Sequence, residues 1–258
     1  MMLPRFWGDG VAYIRRLLCN TWAARKDQII CGQRLEEHAA HLLHDLQLLR
    51  CHCERLSSTV LRQRSPERVL ATACWHFPIY SQTFVYQELT QLMRQGVMVC
   101  FLYGALNPRT YLPAQCARLW HTRRRLLLHP SVCQRDYKYF MQRMPEKVHH
   151  LEELVTQAAG MSLQELRNHY HFLQAFAFTR LVEAYRPDYL HSYFFYEGTL
   201  FTLFASYLLN IPRGVSCYAD HMLHDYPLKV VALHLQQCQM VVATSQRIKY
   251  LGKSNLIF

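Results

Sequence analysis

The feature that most constrains the fold is an alternation of short apolar runs with longer amphipathic segments, which begins at residue 69. Val69–Trp75 (VLATACW) has the length and composition of a buried strand, and Val97–Tyr103 (VMVCFLY) is a second run of this kind. Between them, apolar residues recur at helical spacing and stop before Gly96, a residue type that favours the position after a helix end. This order of strand, helix and strand predicts a βαβ unit, which opens a parallel sheet.

A short loop, His76–Ser81, separates the first predicted strand from the first predicted helix. Pro78 interrupts the strand, and Ser81 is a residue type that caps helix N-termini. In parallel sheets, ligands bind at the carboxyl ends of the strands, where helix N-termini direct backbone N–H groups at anions. We therefore expect part of a ligand site in this loop.

The alternation of helical and strand-like segments continues to the end of the chain. We expect helices over Ser131–Arg143, Glu146–Gln157, Leu163–Tyr185 and Gly198–Leu209, the third of them opened by a capping box at Ser162 and Glu165. The further predicted strands are Leu126–Leu128, a short strand that follows a turn within Arg186–Ser192, Val215–Tyr218 and Met240–Thr244. The pattern predicts an α/β fold, a Rossmann-like parallel sheet with helices on both faces, over residues 69–258.

Residues 1–68 are predicted to form a helical arm that a polar link, Gln63–Arg68, joins to the sheet. Met1–Lys26 contains a basic amphipathic helix, which suits either an anionic membrane surface or the protein core. From Gly32 to Val60 the sequence has a heptad repeat, which is typical of a coiled coil. The repeat fits an antiparallel hairpin with the first helix or a homodimer through residues 32–60, and the His- and Gln-rich flanking positions favour the hairpin. The heptad residues are Leu35, Leu42, Leu49 and Leu56, with Ala39, Leu46, Cys53 and Val60 in the complementary positions.

Composition limits the class of protein. Hydrophobic residues make up 51% of the chain and charged residues 18%, as in folded globular proteins, and no run of eighteen apolar residues is present. The ten cysteines include no C-x-x-C pair, which argues against a structural zinc site and favours reduced thiols in a cytoplasm. We therefore predict a cytoplasmic protein, peripheral on the inner face of the membrane, with no metal and no cofactor.

The net charge of +11 is concentrated in the middle of the chain. Residues 69–135 contain seven Lys or Arg and one Asp or Glu, which gives this stretch a charge of +6. Such an excess favours a phosphorylated ligand, an anionic membrane or nucleic acid, but no zinc finger or RNP motif is present, so we predict no nucleic-acid partner. The run Arg123–Arg125 is compatible with a contact to a lipid-linked diphosphate and equally with a solvated loop.

Two blocks of sequence resemble a known family. Phe77–Phe84 (FPIYSQTF), followed by Glu88–Val99, resembles the opening of family 4 glycosyltransferases of the GT-B fold. Arg186–Ser192 (RPDYLHS), the segment Ile211–Tyr218 and Met240–Ser245 (MVVATS) resemble the second half of the same domain. The two blocks together cover about seven-tenths of the chain.

The resemblance implies where a substrate site lies. Three positions depart from the family pattern, because Gln82 replaces a usual Glu, Tyr218 a frequent His, and His221 a frequent Asp. The resemblance therefore supports the location of the site more firmly than it supports the role of any one residue. The candidate catalytic residues are His191, Asp220 and His221; the candidate substrate-binding residues are Phe77, Ser81, Gln82, Thr83, Tyr218 and Ser245.

The resemblance also implies an activity. The chain resembles the acceptor-binding half of a retaining glycosyltransferase, which moves a sugar from a nucleotide-sugar to a polysaccharide or glycolipid acceptor. The donor-binding half, with its E-x7-E carboxylates, does not follow within the sequence, so we expect a partner domain elsewhere and no activity from this chain alone. The alternative is a non-catalytic α/β binding or oligomerisation module. A flavodoxin-like protein is disfavoured, because no glycine-rich phosphate loop follows the first strand.

Overall fold

The fold is built on one fully parallel sheet. The computed structural model describes residues 26–60, 68–107, 112–218, 228 and 230–246. The strands are β1 (Val69–Phe77), β2 (Met98–Leu106), β3 (Arg124–Arg125), β4 (Tyr189–Tyr193), β5 (Arg213–Cys217) and β6 (Met240–Ala243). They lie in the order β3-β2-β1-β4-β5-β6, and every neighbouring pair is parallel. The predicted Rossmann-like α/β fold is confirmed.

Helices follow the strands as the sequence pattern predicts, with local differences. In the part of the chain that the structure describes, they are α1 (Lys26–Val60), α2 (Thr83–Arg94), α3 (Ala117–Thr122), α4 (Pro130–Arg143), α5 (Pro145–Ala159), α6 (Leu163–Asn168), α7 (Tyr170–Tyr185), α8 (Glu197–Leu209) and α9 (Val231–Gln236). The predicted single helix from Leu163 to Tyr185 is wrong, because His169 is extended (φ −76°, ψ 119°) and divides it. The third strand lies at β3, just before the predicted Leu126–Leu128.

Each face of the sheet has its own hydrophobic core. Along β2, Phe101 and Tyr103 pack towards α2 and α3, whereas Cys100 and Leu102 pack in the larger core with α4, α5, α7 and α8. This alternation follows from the two-residue period of a strand. Because both faces are covered here, the strand is apolar throughout, which is why the run is readable in the sequence.

Helix α1 packs on the domain through contacts with α4 and α7. Nε2 of His44 lies 2.8 Å from Oδ2 of Asp136, and both side chains are buried. Arg124 of β3 donates to Glu54 over 2.7 Å. The division at residue 68 stays a prediction. The first predicted helix, in residues 1–25, and residues 61–67 of the link lie outside the described residues.

The start of α2 differs from the prediction, whereas its end agrees. Ser81 is not the N-cap, because a 3-10 turn, Tyr80–Gln82, precedes the helix and makes Gln82 the capping residue, without a side-chain hydrogen bond. The Phe77–Pro78 peptide bond before this turn is cis. Gly96 follows the C-cap with φ 91°, the left-handed conformation that favours glycine.

Among the described residues, no helix combines the length and the apolar character that crossing a bilayer requires. The eight cysteines from Cys51 to Cys238 are free thiols.

Candidate functional site

The candidate site lies where the strand order reverses, between β1 and β4. These strands pair only at Leu70–Tyr189 and Ala71–Leu190, whereas β1 stays paired with β2 as far as Phe77 and Leu106. The two strands therefore separate towards their carboxyl ends and leave a crevice. In open α/β sheets, ligands bind at this switch point.

A carboxylate held by two phenols forms the edge of this crevice. Tyr193, the last residue of β4, donates from its hydroxyl to Oε1 of Glu88 over 3.0 Å. Tyr218, directly after β5, donates to Oε2 of the same carboxylate over 3.0 Å. Glu88 lies in the second turn of α2 and is exposed, so three separate elements bring this group together. We call Glu88, Tyr193 and Tyr218 the rim cluster.

The electrostatics keep both tyrosines protonated as donors. Burial and the charge of Glu88 raise the pKa of Tyr218 to about 12, and the same two causes hold the pKa of Tyr193 well above its usual value. A carboxylate offers about four lone-pair positions, and the phenols occupy two of them. The remaining positions of exposed Glu88 can accept hydrogen bonds from the hydroxyl groups of a ligand.

Aromatic rings surround the rim cluster. Phe84 lies four residues before Glu88 on the same face of α2, and its ring centroid is 4.4 Å from that of Tyr218. Phe194 lies beneath both rings, at centroid distances of 6.0 Å and 5.5 Å. Its φ of 66° is rare outside glycine, and its N–H donates to the carbonyl of Ser216 over 2.8 Å. Such unusual backbone angles cluster at binding sites.

His191 lies beneath the rim cluster rather than on it. Its side chain is buried, and Nε2 lies 2.8 Å from Oγ of Ser216 on the neighbouring strand. Burial lowers the pKa of His191, Glu88 partly opposes this effect, and Arg213 lowers it further. The histidine is therefore neutral near pH 7. Its ring also contacts that of Tyr193, at a centroid distance of 4.9 Å, so the geometry gives His191 a positioning role.

The other side of the crevice carries a second polar group. His171, near the start of α7, lies with Nε2 3.6 Å from Oε1 of Glu197 and packs edge-on against Trp75 of β1. Burial lowers the pKa of His171, and Glu197 opposes this effect. The N-terminus of α8 approaches β1 closely at Gly198, where a Cβ would lie 2.6 Å from the carbonyl oxygen of Ala73.

The structure brings only some of the predicted site residues together. Tyr218 belongs to the rim cluster, and His191 lies directly below it. Phe77 is fully buried among Tyr86, Phe101 and other aromatic rings, so its predicted contact with a substrate is wrong for this structure.

The remaining predicted site residues are not part of the rim cluster. Ser81 is exposed, and Gln82 and Thr83 are half-buried at the start of α2, beside the crevice. Ser245 is exposed two residues after β6, and residues 247–258 lie outside the described part. Asp220 and His221, two of the three predicted catalytic residues, also lie outside the described residues.

The arginine run has structural partners. Arg124 pairs with Glu54, and the guanidinium of Arg123 lies 3.6 Å from the ring centroid of Trp120. These contacts favour a structural role for both residues over a ligand contact.

A cleft of about 710 Å³ lies between α1 and α7, at the opposite end of the strands from the rim cluster. Its lining includes Arg143, Arg186 and Ile211. Arg186 and Ile211 precede β4 and β5, so the cleft is at the amino ends of the strands. Three of its charged side chains are paired with one another, since Arg143 and Arg180 both bind Glu183. We favour the rim over the cleft, because ligands of parallel sheets bind at the carboxyl ends. No group of metal-binding side chains was found among the described residues.

Sequence reasoning did not select Glu88, Phe84 or Tyr193 as site residues. One local signal was present, because Phe84 and Glu88 are four residues apart at the start of a predicted helix and so share a face. Their meeting with Tyr193 and Tyr218 depends on strand order, which the sequence does not state.

Comparison with protein-family models, with curated proteins and with solved structures gave no match.

Proposed function

We propose that the chain is the acceptor-binding half of a GT-B-type glycosyltransferase, and that the rim cluster holds the acceptor sugar. The observation that carries the proposal is the exposed carboxylate of Glu88, fixed by two phenols beside aromatic rings at the switch point of the sheet. A sugar presents apolar C–H faces and hydroxyl edges. Aromatic rings next to a carboxylate acceptor suit both features.

In this proposal the protein binds and orients the acceptor. A sugar ring packs on Phe84 and Tyr218, and one of its hydroxyl groups donates to Glu88. Orientation of this kind is a large part of transfer catalysis, because it replaces a bimolecular encounter with a fixed geometry. The sugar itself comes from a nucleotide-sugar held by a donor-binding domain, which we propose as the partner.

We also propose a cytoplasmic location at the inner face of a membrane, where a lipid-linked acceptor would be available. The free thiols and the net charge of +11 support this location.

The first test of the proposal is binding of simple glycolipid mimics. We expect n-octyl β-D-glucoside or n-octyl β-D-galactoside to bind the full chain saturably in ligand-observed NMR, and n-octanol not to compete. Glu88→Gln should weaken binding about tenfold, because it replaces a charge-assisted hydrogen bond with a neutral one, a loss of about 1.4 kcal/mol. Tyr218→Phe should also weaken binding, because it removes one of the two hydrogen bonds that fix the orientation of the carboxylate.

The matched control is Glu153→Gln on α5, whose side chain is 77% exposed and outside the rim cluster. Equal binding by wild type and Glu88→Gln, or competition by n-octanol, would contradict the assignment of the site.

The alternative, a non-catalytic binding or oligomerisation module, draws support from the exposed leucines of α1. A transfer assay with UDP- and GDP-sugars and the octyl glycosides separates the two. We expect turnover only when a donor-binding domain is added. Turnover by this chain alone would overturn the view that it is half an enzyme.

A further inference from the structure

Helix α1 exposes a regular stripe of leucines. Leu35, Leu42, Leu49 and Leu56 are 46%, 60%, 60% and 50% exposed, and they recur every seven residues. Between them, Leu46 is 40% exposed and Cys53 is also exposed. Single exposed leucines are normal on protein surfaces, but a stripe of this period is typical of the seam of a coiled coil. We call the face from Leu35 to Leu56 the leucine seam.

The opposite face of the same helix is docked on the domain. His44 and Cys51 are buried, and Glu54 pairs with Arg124. In a heptad with the four leucines at d, His44 and Cys51 occupy the f position, diametrically opposite the seam. The domain therefore holds α1 in place and directs the seam outwards, so a partner helix meets a preformed surface rather than a chain that must first fold.

We propose that the leucine seam joins two copies of this chain as a parallel, in-register coiled coil. Leucine fills every d position between 35 and 56, a choice that is favourable in parallel two-stranded coils. Asp45 is at g and Arg50 is at the following e, so in a parallel pair Asp45 lies beside Arg50 of the partner subunit, with opposite charge. Within the chain Asp45 binds Arg135 and Arg50 binds Glu54, so the contact between subunits adds to existing ion pairs. Both side chains are partly exposed, 57% for Asp45 and 48% for Arg50. An antiparallel pair matches g with g and e with e, and loses this attraction.

The placement of the domains also fits two copies. The docked face is centred opposite the seam, and Leu49 is the seam leucine that borders the cleft against α7. The two α/β domains therefore lie on the outer sides of the helix pair. The seam from Leu35 to Leu56 spans 22 residues, about 33 Å of helix. This is three heptads of contact, on a helix whose backbone is already ordered by its domain.

The first test is the molar mass in solution, measured by light scattering on the full chain. We expect about 61 kDa, twice the chain mass of 30.6 kDa. The double variant Leu42→Gln and Leu49→Gln should give the monomer mass with an unchanged circular dichroism spectrum, because both side chains are exposed. Leu163→Gln, at a leucine that is 41% exposed outside α1, should remain dimeric. A monomeric wild type, as expected if residues 1–25 cover the seam, or a dimer that survives the double variant, would overturn the proposal.

The second test is the direction of the pair. In a parallel, in-register pair, the two copies of Cys53 face each other at an a position. In a background with Cys19→Ser and Cys31→Ser, oxidation with copper phenanthroline should give a disulfide-linked dimer, and Cys53→Ser should abolish it. A dimer by mass without this cross-link would contradict the parallel register.

Discussion

At the residue scale, Gly198 fixes the approach of α8 to the sheet. A Cβ there would lie 2.6 Å from the carbonyl oxygen of Ala73, a contact with backbone that a side-chain rotation cannot relieve. We expect Gly198→Ala to lower the free energy of unfolding by about 1–3 kcal/mol, although alanine is the better helix former. Urea denaturation, followed by circular dichroism, measures this change.

The matched control is Gly32→Ala in α1, where no atom lies within 4 Å of the added Cβ. This substitution should raise stability by up to about 1 kcal/mol, because it removes backbone freedom from the unfolded chain and adds a helix-favouring residue. If both substitutions stabilise the protein, the close contact at Gly198 is not a constraint on the fold.

At the scale of elements, one buried carboxylate ties three helices together. Glu152 of α5 accepts two hydrogen bonds from Arg167 of α6, each 2.7 Å long, and one of 2.9 Å from Tyr137 of α4. Burial raises the pKa of Glu152, but the hydrogen bonds from Arg167 and Tyr137 outweigh it, so the net pKa lies below its usual value. The charged form is therefore the one that the fold stabilises.

This pKa predicts a stability that depends on pH. A lowered folded pKa contributes stability above the unfolded value of about 4.3, and that contribution is lost as the pH falls through the folded pKa. Glu152→Gln should lower the free energy of unfolding by about 2 kcal/mol at pH 7, and the difference from wild type should shrink towards pH 3. Urea titrations at several pH values measure both quantities.

Glu153→Gln, at the next residue of the same helix, is the control, because that side chain is mostly exposed. It should change stability by a few tenths of a kcal/mol at most, at any pH. Equal effects at the two positions, or a deficit for Glu152→Gln that does not vary with pH, would show that the three-helix contact is not electrostatic.

Elements were predictable where local chemistry decides them. The apolar runs of β1 and β2, the capping box at Ser162 and the helix end at Gly96 all follow from short-range rules, and the structure confirms them. The break at His169 and the 3-10 turn before α2 did not follow, because tertiary packing sets those backbone angles. The candidate site was harder still, since strand order alone brings Tyr193 and Tyr218 to Glu88.

At the scale of the whole molecule, the rim cluster and the cleft between α1 and α7 lie at opposite ends of the strands. The rim cluster is at the carboxyl ends of the strands, and the cleft lined by Arg143 and Ile211 is at the amino ends. Because the two surfaces lie at opposite ends of the strands, the residues that respond to a ligand identify which surface it binds. The proposed function requires the sugar to bind at the first.

The most direct measurement is therefore a map of backbone amide shifts on the deuterated, ¹⁵N-labelled full chain, titrated with n-octyl β-D-glucoside. We expect the largest shift changes at Glu88, Tyr193 and Tyr218, with saturation, and little change near Arg143 and Ile211. Changes concentrated at the cleft, or spread over both surfaces without saturation, would contradict the account that the switch-point rim binds the acceptor sugar.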